Sequence, residues 1–191
     1  MRKLHRSAFA LAAAAACAAW AQPGGCNAPT PAPSVTIKVP TSPFAVAPIR
    51  DGCWLFVSGV GGNGGKKGVA VLQRDSGHIA LVRMVPLDSD ALGMALTHDG
   101  KLLVVAAATS VDFLDVERLI SGDDKPLLGS FSDGNGAGSV YANVTAGDKL
   151  LFVSDEGRAA ITVIDLPKAR ANGYKDAAII GRIPVGQAPS R

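Results

Sequence analysis

Short apolar runs, each preceded by an Asp/Gly turn, recur along most of this chain. The clearest run, 102–106, directly follows the turn 99–101. The same combination occurs 48 residues earlier, around Cys53, and 48 residues later, around Lys149. A repeat of this length, made of short runs rich in β-branched residues, predicts a repetitive β-structure.

Each repeat contains four apolar segments, which predict four antiparallel strands. The second segment is almost continuously apolar, as expected of a strand buried on both faces of its sheet. Four antiparallel strands in one repeat of 48 residues are the content of a propeller blade. The sequence therefore predicts an all-β fold, an incomplete β-propeller of four-stranded antiparallel blades with about three blades present. The predicted blades are 43–90, 91–138 and 139–188, with strands at 44–49, 54–57, 69–72, 79–85, 92–97, 102–106, 111–114, 127–131, 140–145, 150–153, 161–164 and 179–185.

Two other repetitive or layered folds fit the pattern less well. Helical solenoids need apolar residues at spacings of three and four, whereas these runs are short and interrupted by glycine. A β-sandwich has alternating strands without a fixed long period. Only 115–120 and 168–174 are predicted to form helical turns, between the third and fourth strands of their blades.

Three stretches carry a resemblance to a known family. The segments 164–166 and 182–189 and the turn before the run 102–106 resemble the YVTN-type β-propeller repeat, and by extension the lactonase-like seven-bladed propellers. The resemblance covers nearly all of 34–191. It concerns turns and buried strands, so it implies the fold rather than a reaction. The segments 105–108 and 153–156 replace the family's Tyr-Val-x-Asn run, so no role of that Asn carries over.

The two ends of the repeat region match each other. Residues 37–43 correspond to 183–189, so 34–39 are predicted to form a last strand and 189–191 to start a fourth blade. Seven blades of 48 residues exceed the 191 residues of this chain. The sequence therefore predicts a fragment of a longer protein. Its end blades are expected to expose apolar faces that missing blades or self-association must cover.

The first 21 residues have the pattern of a secretory signal peptide. A basic start precedes an apolar stretch that is short for a membrane span, and cleavage is predicted after Ala21. Lipidation at Cys17 and an uncleaved anchor are the alternatives. Residues 22–33, rich in Pro and Gly, are predicted to form a flexible tether. The predicted location is the periplasm or the outside of the cell.

Removing this leader changes the charge of the chain. The leader holds three of the 19 basic residues and none of the 16 acidic ones, so the net charge falls from +3 to zero. A neutral chain has no excess positive charge for nucleic acid. The expected partner is an unidentified protein or small-molecule ligand, and the mature chain has no predicted membrane span.

Cys26 and Cys53 remain after cleavage, and neither has metal-ligand spacing. In an exported protein two cysteines can pair. Whether their Cα atoms come within bonding range is left open by the sequence. No metal and no cofactor is predicted.

The candidate binding residues lie in connections between second and third strands. Lys66 and Lys67 follow a glycine-rich segment, 59–64, that fits G-x-G-x-x-G. A dinucleotide site needs a helix after this motif, and here a strand is predicted. The dinucleotide interpretation therefore fails, and the two lysines are retained as candidates for contact with an anionic ligand.

The third blade offers a second candidate cluster of Asp155, Glu156 and Arg158, with Arg191 near the propeller axis. Adjacent carboxylates can bind a cation or transfer protons, but without a second cluster solvated loop charges are the simpler interpretation. His78 and His98 are predicted to be polar turn residues at the opposite end of the blades. No Ser/His/Asp arrangement is indicated, so no catalytic residue is predicted.

These observations favour an exported propeller that acts as a non-catalytic binding or scaffolding module. The resemblance to lactonase-like propellers implies a second hypothesis, hydrolysis of a sugar lactone. A propeller domain of a periplasmic redox protein is a third, although the haem-attachment pattern C-x-x-C-H is absent from this sequence.

Overall fold

The computed structural model describes residues 25–189 apart from 27, 30, 31, 133–137 and 188. The predicted leader, Cys17 and Arg191 lie outside these residues. Within them the chain forms three four-stranded antiparallel sheets, and the strands of each sheet are neighbours in chain order. The all-β prediction of an incomplete propeller with four-stranded blades is confirmed.

Each sheet is one blade, numbered in chain order. Blade 1 consists of β1 (Ser42–Pro48), β2 (Trp54–Val60), β3 (Gly68–Asp75) and β4 (His78–Pro86). Blade 2 consists of β5 (Met94–Leu96), β6 (Leu102–Ala107), β7 (Ser110–Asp115) and β8 (Leu127–Ser132). Blade 3 consists of β9 (Ser139–Val144), β10 (Leu150–Asp155), β11 (Ala160–Asp165) and β12 (Ile179–Pro184).

The three blades share one irregularity that aligns them residue by residue. The pairing of the third strand with the fourth shifts register just after Val71 in blade 1, after Phe113 in blade 2 and after Val163 in blade 3. A bulge bends the strand and increases its twist. Its recurrence at one position means that the sequence repeat is a repeat of backbone geometry.

Short helices follow the third strands of blades 2 and 3. Helix α1 (Val116–Ser121) begins after Asp115, and helix α2 (Leu166–Ala171) begins after Asp165. Each aspartate accepts a hydrogen bond from the backbone N–H three residues on, at 2.9 and 2.8 Å. This N-cap satisfies a donor that the first helical turn leaves unpaired. The second helix therefore starts two residues before the predicted turn at 168–174.

The recurring Asp/Gly turn joins the first and second strands of each blade. Each turn needs one residue with positive φ. This residue is Gly52 (72°) in blade 1, Gly100 (69°) in blade 2 and Asp148 (51°) in blade 3. Glycine adopts this conformation without steric cost, and aspartate tolerates it better than most residues. The third turn keeps the geometry with a different residue, because Asp148 supplies the positive φ.

Blades pack face to face through two apolar cores. Strand β6 is buried at all six positions, as predicted for a second strand, since it contributes one face to each core. The core between blades 1 and 2 includes Phe56, Val71, Leu103 and Leu114. The core between blades 2 and 3 centres on Phe113, whose ring lies 4.7 Å from that of Phe131 and 4.9 Å from that of Tyr174.

Gly93 allows blades 2 and 3 to approach closely at their inner strands. Its N–H donates to the carbonyl oxygen of Val140 at 2.7 Å. A Cβ atom at Gly93 would lie 2.5 Å from that oxygen, which no real side chain tolerates. The inner strands therefore meet through backbone atoms at this point.

Residues 34–39, predicted as a strand, form none in the structure. A strand needs a neighbouring edge for its N–H and C=O groups, and no described strand edge pairs with this segment. Instead Ile37 and Val39 pack against the face of blade 1 that points away from blade 2. That face keeps Val46 60% exposed, and blade 3 keeps Ile183 47% exposed, so both ends carry open apolar surface as expected.

Across the described part of the chain, none of the helices has the length and apolar character needed to cross a membrane.

Candidate functional site

The connections between strands gather at two opposite ends of the blades. The loop end carries the links from second to third strands and from each blade to the next. A hydrogen bond between the hydroxyls of Ser89 and Thr109, 2.9 Å apart, joins one link of each kind. The turn end carries the Asp/Gly turns. The predicted binding loops belong to the loop end.

Lys66 and Lys67 lie exposed in the loop between β2 and β3. The loop is held by its backbone, since Gly61 N–H donates to the carboxylate of Asp90 at 2.9 Å and Lys66 N–H donates to the carbonyl of Pro40 at 2.8 Å. The glycine-rich motif is followed by a single 3-10 turn, Gly62–Gly64, and then by β3. No helix N-terminus is present here to hold a pyrophosphate, as the sequence indicated.

Asp155 is not a solvated loop residue. It ends β10, its side chain is 0% exposed, and its Oδ1 accepts from the backbone N–H of Gly138 at 2.9 Å and of Arg158 at 3.1 Å. The guanidinium Nε of Arg158 lies 3.8 Å from Oδ2. The carboxylate is buried because it ties the connection entering blade 3 to the loop of the same blade. Only Glu156 and Arg158 of this cluster reach solvent.

The structure does not bring the two predicted groups into one site. Lys66 and Lys67 belong to blade 1, whereas Glu156 and Arg158 belong to blade 3, and blade 2 lies between them. Arg191 lies outside the described residues. A ligand role for these side chains at the loop end stays a prediction.

Cys26 and Cys53 form a disulfide whose Cα atoms are 5.0 Å apart. It attaches the segment before β1 to the first Asp/Gly turn. A second attachment follows two residues later, where the guanidinium of Arg74 donates to the carbonyl of Ala28 at 2.9 Å. The segment predicted as a flexible tether is therefore fixed to blade 1 at these described residues.

Blade 2 contains a buried carboxylate, that of Asp112. Asp112 lies within β7, is 5% exposed, and accepts hydrogen bonds from the hydroxyls of Ser110 at 2.9 Å and Ser130 at 2.5 Å. It faces a small cavity of about 100 Å³ beside Asp88. A charged residue inside the apolar run 111–114 was the signal in the sequence. A cavity of this size holds about three waters and is too small for a sugar ligand.

Burial raises the pKa of Asp112 above 3.8. Hydrogen bonds from the hydroxyls of Ser130 and Ser110 lower it in part, and the nearby carboxylate of Asp88 raises it further, so the pKa is raised overall. In the window between 3.8 and the raised value, the folded chain binds more protons than the unfolded chain. Stability is therefore lost as pH rises through the folded-state pKa.

Replacing Asp112 by asparagine is expected to stabilise the protein at neutral pH by about 1 kcal/mol, or about 2–4 °C in melting temperature. The amide oxygen keeps both serine bonds without a buried charge. Thermal melts from pH 3 to 8 measure the gain, which is expected to vanish at the acidic end. Asp88→Asn is the matched control and should give a smaller gain of the same sign. A lower melting temperature for D112N at neutral pH would contradict this account.

The turn end contains a wider, open groove of about 450 Å³ between blades 1 and 2. Pro48 and Leu96 supply apolar walls, and Arg50 and His98 supply polar groups. A neighbouring groove of about 370 Å³ shares Gly100 and lies against helix α1. Both volumes are in the range of small-molecule sites. Both grooves thus lie at the end opposite to the predicted loops.

His98 is fixed in this groove by the turn of the next blade. Its Nδ1 lies 2.8 Å from Oδ1 of Asp148, and its backbone N–H donates to the same oxygen at 2.9 Å. The second oxygen of Asp148 accepts from the N–H of Asp99 at 3.1 Å. Partial burial raises the pKa of Asp148, but these bonds outweigh it and lower the pKa overall. In the described part of the chain Nε2 of His98 makes no hydrogen bond, so it is the ring nitrogen left for a ligand.

Asp99 holds helix α2 against the same turns. Desolvation raises its pKa, but hydrogen bonds from the hydroxyl of Thr97, the guanidinium of Arg170 and the N–H of Lys101 lower it to about 2. The Arg170 contact measures 2.9 Å. Its contribution to stability is present above the ordinary pKa of 3.8 and is lost as the pH falls towards 2.

Among the described residues no group of three or more His, Cys, Asp or Glu side chains is arranged to hold a metal ion.

The fold and these connections define the chain as a partial β-propeller. Its structure resembles hydrazine synthase of Kuenenia stuttgartiensis with a TM-score of 0.61 and 19% identity, over 83% of this chain and 40% of that one. It also resembles a candidate 6-phosphogluconolactonase of Bacteroides fragilis, with a TM-score of 0.59 and 17% identity over 82% of this chain and 42% of that one. A candidate 6-phosphogluconolactonase of Bacteroides uniformis gives a TM-score of 0.57 and 14% identity, over 82% of this chain and 44% of that one.

The chain spans less than half the length of these solved structures. At such low identity the likeness concerns the fold. No protein-family model and no curated protein sequence matches the chain, so the YVTN family itself is not shown.

Proposed function

We propose that this chain is part of an exported propeller that binds an anionic small molecule without transforming it. The observation that carries the proposal is the turn-end groove, where Arg50 and His98 stand beside the apolar walls of Pro48 and Leu96. Apolar walls with a few oriented polar groups are the usual composition of a ligand site. An arginine is the side chain best suited to a carboxylate or phosphate, because it offers paired donors.

The position of the groove supports ligand binding in a second way. Pro48 ends the first strand of blade 1, and Leu96 ends the first strand of blade 2. First strands are the innermost strands of a propeller, so this groove opens where the blades converge. A ligand there would contact two blades at once, and its binding would stabilise their packing.

Calorimetric titration with 6-phosphogluconate tests this function, because the probe carries both a phosphate and a carboxylate. We expect binding that Arg50→Ala weakens by at least about tenfold, the loss of one charge-assisted contact. The double variant Lys66→Ala/Lys67→Ala is the matched control at the loop end and should bind as the unchanged chain does. Absence of binding, or a loss with the lysine variant alone, would overturn the groove as the site.

One observation favours lactone hydrolysis as a second candidate. A carboxylate that fixes one nitrogen of a histidine leaves the other oriented as a general base, and Asp148 holds His98 in this way. Nε2 of His98 would take a proton from water attacking the lactone carbonyl. The structural resemblance to candidate 6-phosphogluconolactonases is compatible with this chemistry.

The two candidates differ in turnover. Hydrolysis of 6-phosphogluconolactone faster than its spontaneous rate, and lost in His98→Ala, would favour the enzyme over the binding module. Binding of 6-phosphogluconate with no acceleration favours the binding module. The proposal of a periplasmic redox propeller has no supporting contact among the described residues.

A further inference from the structure

The outward face of blade 3 repeats the faces by which blades 1 and 2 pack onto their successors. We call it the blade 3 outer face, and its central residues are Phe152, Val163 and Ile183. The cross-strand pair Phe152 and Val163 occupies the position of Val104 and Phe113 in blade 2, next to the same bulge. The equivalent residues of blades 1 and 2 are buried against the next blade: Phe56, Val71, Val85, Val104, Phe113 and Phe131.

The opposite end of the chain repeats the receiving face. The blade 1 outer face consists of Val46, Leu55, Val57, Ala70 and Leu72. Its pair Leu55 and Leu72 corresponds to the pair Leu103 and Leu114, the part of blade 2 that receives blade 1. The two open faces of this chain are therefore the two halves of the interface that already joins its own blades.

Residues 35–40, which we call the strap, occupy part of the blade 1 outer face. By the sequence repeat Ile37 and Val39 match Val85 and Leu87 of blade 1, which pack onto blade 2. Ile37 and Val39 pack onto the blade 1 outer face in the same manner. The strap thus takes the place of the fourth strand of a preceding blade, and a groove of about 260 Å³ remains between it and Val46.

Ser154 adds a hydroxyl group to the blade 3 outer face, at the position that Ser58 holds in blade 1. In blade 1 the hydroxyl of Ser58 accepts from the N–H of Ala45 at 3.0 Å and donates to the carbonyl of Leu92 at the start of blade 2. Ser154 accepts from the N–H of Tyr141 at 3.1 Å at the equivalent position of blade 3. Its hydroxyl is placed to donate to the next blade, where the residue equivalent to Leu92 in a second copy is Phe44.

We propose that the blade 3 outer face docks onto the blade 1 outer face of a second copy of this chain. The match between the two faces supports a second copy as the occupant, because they are the two halves of the interface that joins this chain's own blades. The described residues of each copy supply three blades. The contact is head-to-tail, and such contacts close a ring when the rotation from one copy to the next closes.

The strap competes with this docking. Ile183 of the second copy requires the position that Ile37 of the first copy holds, because both match Val85. The strap is retained at its two ends by the disulfide of Cys26 and by the hydrogen bond from Thr41 to the carbonyl of Val60 at 3.2 Å. Association is therefore expected to be weak until the strap moves aside.

Sedimentation velocity of the full chain over a wide concentration range tests the proposal. The unchanged chain is expected to show a concentration-dependent dimer. Ile183→Asp should weaken it by at least about tenfold, since the carboxylate would be buried without a partner. Ile37→Asp should strengthen it by loosening the strap. Ser154→Ala, which keeps the apolar surface, should weaken it several-fold.

Val82→Asp is the matched control, because Val82 is 49% exposed on a fourth strand but belongs to neither outer face. It should leave the association constant unchanged, and circular dichroism should show the same strand content in every variant. A monomer at all concentrations would overturn the proposal. Equal changes of the association constant in I183D and V82D would overturn it as well. So would an association constant of I37D that is no higher than that of the unchanged chain.

Discussion

Replacing Phe113 by alanine is expected to lower the free energy of unfolding by about 3–5 kcal/mol, the range found for a large aromatic in a core. Its side chain is 0% exposed and its ring contacts those of Phe131 and Tyr174 at 4.7 and 4.9 Å. The substitution removes both ring contacts and leaves a cavity between blades 2 and 3. Urea denaturation followed by tryptophan fluorescence measures the loss.

Phe44→Ala is the control for this change. It removes the same ring atoms, but Phe44 is 41% exposed. Among the aromatic rings described, its ring contacts only that of Tyr141, at 5.6 Å. The expected cost is about 1 kcal/mol, because less apolar surface is buried there. Equal losses for the two variants would mean that the core between blades 2 and 3 does not limit stability.

Replacing Cys26 and Cys53 together by serine is expected to cost about 3 kcal/mol of stability in the chain-entropy account. The disulfide spans 27 residues and closes a loop that contains the strap and β1. Without it the unfolded chain gains conformational freedom, and the segment before β1 keeps only its hydrogen bonds to blade 1. Thermal melts of the double variant measure the loss.

The reductant dithiothreitol provides the control for this prediction. It should lower the melting temperature of the unchanged chain to that of the double variant and should leave the double variant unaffected. Identical melts of the oxidised chain and the double variant would refute a stabilising role for the disulfide.

Much of the fold was predictable because each blade is built from local signals. The run 102–106 is apolar at every position, and a strand of that composition requires cover on both faces, which β6 has. The Asp/Gly turns fixed the boundaries between first and second strands, since positive φ is available to few residue types. Helix α2 began two residues earlier than predicted because the cap at Asp165 was not recognised in the sequence.

The candidate site was predicted less well, because it depends on neighbours that are distant in sequence. Asp155 looked like a loop charge, but the backbone N–H of Gly138, 17 positions away, holds its carboxylate inside together with the N–H of the nearby Arg158. His98 looked like a polar turn residue, yet a carboxylate 50 positions away fixes its ring. Nothing in the local sequence of Asp155 or His98 reports the distant partner, Gly138 or Asp148.

By itself the sequence determined that this chain consists of four-stranded blades and where their turns lie, because these properties follow from periodic burial and backbone conformation. The tertiary structure alone decided which blade faces are matched and which stay open. It also placed the strap where a neighbouring strand would lie and formed the groove at the turn end. Contacts between blades depend on side chains about one repeat apart, and a pattern within one repeat cannot specify them.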